Sequence, residues 1–114
     1  MNDAVRPGSV DFGHLESYVA GDRAIVREVL DLFSDQARTV LPALSPTAAK
    51  DDWRHAAHSL KGSALGIGAF ALAEACGAAE AARDESPEAK RAVLARVADA
   101  MAEALADIAA YTRG

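Results

Sequence analysis

Among the residues able to do chemistry, His58 stands out because Lys61 follows it at i+3 and Gly62 at i+4. A neutral imidazole is a nucleophile, and on a helix an ammonium three positions on lies within reach of it. That ammonium disfavours a second positive charge on the ring and would partly neutralise a phosphoryl group placed on the ring nitrogen. Gly62 needs its own explanation, because glycine inside a helix costs about 1 kcal/mol against alanine, and this chain uses alanine freely. Access supplies one: without a side chain one turn beyond His58, another surface can approach the imidazole.

Other groupings explain less. Asp51, His55 and His58 share a face, and two histidines with a carboxylate can bind zinc. A zinc site would leave Lys61 and Gly62 without a purpose and finds no ligand on a second helix, so no metal is expected. His14 is isolated in sequence. The single cysteine, Cys76, rules out an intramolecular disulfide or a cysteine-rich zinc site, and its small neighbours make it a core residue.

The elements that must position these residues read as helices. Asp11 caps a short one that buries Phe12, Leu15 and Val19 and ends at Gly21. Asp22 caps a second, on which Ile25, Val29, Leu32, Phe33, Gln36, Val40, Leu41 and Leu44 form a core-facing stripe until Ser45-Pro46 breaks it. Asp51-Asp52 offers an N-cap for a third helix with the stripe Trp53, Ala57, Leu60, Ala64 and Ile67. At about 100° per residue, His58 and Gly62 turn away from that stripe, in an outward row with Asp51, His55, Leu65 and Ala69. Phe70, Leu72, Ala73, Cys76, Ala79 and Ala82 mark a fourth helix as far as about Arg83. Ser86-Pro87 then starts a fifth, carrying Val93, Val97, Met101, Ala104, Ile108 and Tyr111. The expected fold is all-α: an antiparallel up-down four-helix bundle with a short additional N-terminal helix, over residues 11–114 as one domain, after a flexible tail at 1–10.

Composition agrees. Of the 114 residues, 51% are hydrophobic, but 28 are alanine, the best helix former and a poor strand residue, which disfavours β-sandwiches, barrels and large α/β enzymes. A net charge of −5 gives no field for a polyanion, so nucleic-acid binding is not expected. No apolar run is long enough to span a bilayer, and the N-terminus lacks the basic and apolar regions of a signal peptide. A cytoplasmic, membrane-free protein is expected.

The segment Ala57-His58-Ser59-Leu60-Lys61-Gly62-Ser63-Ala64, followed by Gly68, Leu72 and Glu80, resembles the signature of histidine-containing phosphotransfer (HPt) domains of two-component phosphorelays. The likeness extends to the helix over Asp22 to Phe33, the Asp52-Trp53 lead-in and the chain length. It implies that His58 is the phosphoacceptor, Lys61 the cation near the phosphoryl oxygens and Gly62 the gap that admits a partner. Ser63 would be a hydrogen-bonding residue near the site. Glu80 would lie across from His58 and fix its tautomer. His55, Leu65 and Ala69, with parts of the second helix, would form the docking patch.

The implied function is a phosphohistidine carrier between the aspartates of response-regulator receiver domains, fed by a hybrid histidine kinase. Such a carrier has no ATP site and binds no cofactor; the receiver brings the Mg²⁺. It would act as a monomer. A histidine kinase dimerisation hairpin fits less well, because an acidic residue commonly follows its histidine and Ser59 stands here. The alternative is an HPt-like binding module that docks a receiver or kinase and regulates it without being phosphorylated.

Overall fold

In the computed structural model, which describes residues 10–113, the chain folds into five α-helices and one 3₁₀ turn, with no strand among the described residues. The helices are α1 (Phe12–Tyr18), α2 (Arg23–Val40), α3 (Lys50–Ile67), α4 (Phe70–Ala81) and α5 (Pro87–Arg113), and the 3₁₀ turn Leu41–Ala43 follows α2. Each of α2 to α5 packs on the next, and α5 returns to α2, while α1 lies against α2 and α3. Between α3 and α4 the contacts run in opposite order along the chain: Asp51 meets Arg83, His58 meets Glu80, and Lys61 lies against Gly77. That pair is antiparallel. The tail expected at residues 1–10 falls outside the described residues except at Val10, which is buried and belongs to the core.

Capping residues set most helix starts. The Asp11 carboxylate accepts from His14 N–H, Asp22 accepts from Ala24 and Ile25, and Ser86 Oγ accepts from Ala89 one residue before Pro87. For α3 the expected cap was displaced. Its N-cap is Ala49, and Asp51 and Asp52 stand in the first turn, where their charge still complements the helix dipole. Arg83 donates to Asp51 through both Nε and Nη2, which holds that carboxyl below its ordinary pKa.

The second helix departs furthest from expectation. It buries Val26, Leu30, Phe33, Ser34 and Ala37, whereas Ile25 and Leu32, assigned to the core by the sequence, are exposed. The helix has apolar residues on two adjacent faces, and the core takes the one offset by a residue. Pro42, not Pro46, ends it, because a proline lacks the N–H that the next turn requires. The stripe of α3 lies inside as expected, with Trp53, Ala57, Leu60 and Ala64 wholly inaccessible.

Alanine supplies much of what α3 and α4 bury: Ala56, Ala57 and Ala64 on the first, and Ala73, Ala75 and Ala79 on the second. Small side chains let the axes approach, and Trp53 fixes their spacing, its Nε1–H donating to the Ala79 carbonyl at 2.7 Å. Lys90 is buried with its ammonium 5.3 Å from the Trp53 ring centre, so the π face partly compensates its lost hydration. Cys76 is fully buried and its thiol is pushed up to about 12 by desolvation, which fits a packing role.

Gly68 closes α3 in the left-handed region at φ +83° and turns the chain directly into α4. Its carbonyl accepts from Asp11 N–H at 3.0 Å, and a Cβ built there would lie 2.7 Å from the Asp11 carbonyl oxygen. Gly68→Ala should therefore lower stability by about 2–4 kcal/mol in denaturant titrations, combining left-handed strain with displacement of α1. A loss of only about 1 kcal/mol would show that the left-handed strain acts alone and that α1 gives way to the new methyl.

Candidate functional site

The outward face of α3 carries the site midway along the bundle. His58 has a side chain 64% exposed, and its Nδ1 is 3.0 Å from Glu80 Oε2. A carboxylate only accepts, so Nδ1 carries the hydrogen, and the neutral ring keeps its lone pair on Nε2. Among the described residues Nε2 has no partner. The imidazole is thus oriented by α4 while its nucleophilic nitrogen stays available.

Lys61 Nζ lies 3.7 Å from the other oxygen, Glu80 Oε1. The sequence reading set the ammonium directly beside the ring; the structure places one carboxylate to engage both. Glu80 is the more buried partner, at 24% exposure against 39% for Lys61, so it is the fixed point of the trio. The lysine stem crosses α4 at Gly77, where a Cβ would sit 3.9 Å from Lys61 Cδ. Gly77 and Glu80, one turn apart on α4, thus accommodate the stem and the head of one side chain. Gly77 was not singled out from the sequence, since in a helix of small residues nothing marks it until α3 is packed alongside.

Gly62 is exposed, and a Cβ there would meet nothing within 4 Å. No internal packing demands the glycine, which leaves room for an approaching surface as the remaining explanation. Ser63 is half-buried and its Oγ lies 2.6 Å from Gln36 Oε1 of α2, with the Ser59 carbonyl at 3.3 Å. Its partner Gln36, which sequence periodicity assigned to the core stripe, is half-exposed at the groove between α2 and α3.

Of the expected docking residues, His55 and Leu65 are exposed on the outward side of α3. Ala69 is not. It is fully buried, because α3 stops at Ile67 and Gly68 redirects the chain, making Ala69 the N-cap of α4 with its N–H donating to the Ala64 carbonyl. Exposed apolar surface on this side comes instead from Leu65 of α3 and from Leu32 of α2, which lines a groove with Ser63 and Gly66. No trio of His, Cys, Asp or Glu among the described residues is placed to hold a metal, and Asp51 is engaged by Arg83. No described helix is long and apolar enough to cross a membrane.

An oriented imidazole with one free nitrogen, a neighbouring ammonium and an unobstructed approach is equipped for nucleophilic group transfer to and from an anionic centre. Comparison with known proteins bears on which group. Residues 28–110 match the family model of the Hpt domain. A crystal structure of the histidine phosphotransferase ShpA from Caulobacter crescentus is similar over 91% of this chain and 90% of that one, at 46% identity and a TM-score of 0.73. The comparison with curated proteins gives no match.

Proposed function

This chain belongs to the Hpt domain family, with a histidine phosphotransfer role in a phosphorelay, and on that premise we propose that His58 is its phosphoacceptor, serving receiver-domain aspartates. The observation that carries the assignment is the His58–Glu80 hydrogen bond, which occupies Nδ1 and leaves Nε2 outward.

In the forward step the Nε2 lone pair attacks the phosphorus of a receiver's aspartyl phosphate. The P–N bond forms as the P–O bond to the aspartate breaks, and the aspartate leaves as a carboxylate. Nδ1 keeps its hydrogen throughout, so the ring gains positive character and the Glu80 carboxylate offsets it. Lys61, whose stem crosses α4 at Gly77 and whose ammonium lies by Glu80, turns toward the transferred phosphoryl oxygens. The reverse step returns the group to a second receiver by the same path. Positioning and charge neutralisation suffice for such chemistry, and the receiver supplies its acidic pocket and Mg²⁺. Docking would use the exposed side of α3 around Gly62, with His55 and Leu65, and the adjoining groove that Leu32 of α2 lines. A hybrid histidine kinase would load the relay from its own receiver, in the cytoplasm.

Incubation with a phosphorylated receiver and Mg²⁺ should label this protein at one residue, with a bond stable in base and lost in acid, as a phosphoramidate behaves. A label lost in base and retained in acid would assign the phosphoryl group to a different side chain.

A further inference from the structure

The groove between α2 and α3 runs beside the turn that carries Gly62, with Val29, Leu32, Phe33 and Gly66 among its lining residues and a volume of about 260 Å³. Leu32 is exposed there, and Leu65, next to Gly66 in sequence, is exposed on α3. Two polar side chains interrupt this surface, Gln36 from α2 and Ser63 from α3, and they bond to each other at 2.6 Å. That length suits a hydroxyl donating to an oxygen and is short for an amide N–H donating to a hydroxyl. Ser63 therefore gives its proton to Gln36 Oε1 and fixes which way the amide faces. Gln36 Nε2 is left with two hydrogens and no acceptor among the described residues, at the groove its side chain lines.

From this we infer that Gln36, oriented by Ser63, selects among receiver domains: it favours those whose docking surface sets a hydrogen-bond acceptor, a carboxylate or amide oxygen, over the groove. The inference rests on the reading of His58 as a carrier for receivers, because a domain that brings an aspartate to His58 past Gly62 also covers the adjoining groove. A receiver with a purely apolar surface there buries both amide hydrogens unpaired, a penalty worth about 10- to 100-fold in affinity. One that offers an acceptor avoids it. Shape and apolar burial serve both alike, so the polar pair is what separates them. Ser63 acts through Gln36 as a positioning residue.

The test measures transfer from a panel of phosphorylated receiver domains to the full chain, comparing wild type with Gln36→Leu and Gln36→Glu. Gln36→Leu should compress the spread in kcat/KM between the best and worst receivers about tenfold, through KM, with the maximal transfer rate unchanged. Gln36→Glu keeps the size but replaces the donor with an acceptor, and should turn selection against the receivers that wild type prefers. Unchanged spreads in both variants, with wild type active, would overturn the selection role and leave the carrier reading standing. A change confined to the maximal rate would also overturn it, by placing Gln36 in the chemistry. Should no receiver label wild type, the carrier reading fails and this inference goes with it.

Discussion

His58→Gln should remove phosphoryl uptake altogether, with labelling from any phosphorylated receiver at least about 1,000-fold below wild type, while thermal unfolding is unchanged. The size follows from the chemistry, since an amide nitrogen has no basic lone pair to attack phosphorus and no nearby group replaces it. His55, three residues earlier on the exposed side of α3, is not held by Glu80. The unchanged stability follows from burial: His58 is mostly exposed, and a glutamine amide there can still donate to Glu80, so no buried acceptor loses its partner. Wild-type labelling of the variant would remove His58 from the chemistry. Loss of labelling together with a fall in melting temperature would instead point to a structural contribution.

How much of this was legible in the sequence depended on whether a segment had one apolar face or two. The third helix was, because Trp53, Ala57, Leu60, Ala64 and Ile67 form a single stripe and His58 lies opposite it. The second was not. Ile25 and Leu32 repeat at the same period as Val26 and Phe33, and periodicity cannot say which of two neighbouring rows meets the core. Leu32, in the row left outside, lines the groove, so the misreading falls where apolar residues face a partner rather than the interior. For the same reason periodicity alone puts Gln36 in the core stripe, as its one polar member. Lys90 was unreadable as a buried residue, since only the assembled Trp53 ring makes burial of its ammonium tolerable. Ala69 was lost to one backbone angle: extrapolating the helical row past Gly68 assumed a continuation that a residue at φ +83° does not give. Glu80 came from family resemblance alone, and the structure supplies its distances to His58 and Lys61.

Gly62→Leu should raise stability and slow transfer at once, a combination that separates access from every structural account of the glycine. The stability gain follows from local physics. A Cβ at position 62 touches nothing within 4 Å and the position is exposed, so a side chain has solvent to extend into, and replacing a mid-helix glycine with leucine recovers about 0.5–1 kcal/mol of helix propensity. The kinetic loss follows from position. The side chain would project one turn beyond His58 on the same outward side, and in a helix it leans back toward the N-terminus, over the approach to the ring. An attacking nitrogen must come within about 3–3.5 Å of phosphorus in line with the leaving oxygen, and a misplacement near 1 Å costs about 100-fold, which sets the expected drop in transfer rate. Gly62→Ala should gain similar stability with a smaller loss, because one methyl obstructs less than four carbons. Thermal melts and rapid-quench transfer assays on the three proteins give both axes. Slower transfer with reduced stability would mean that the helix had been disturbed, and unchanged transfer in Gly62→Leu would show that the receiver does not approach His58 across this turn.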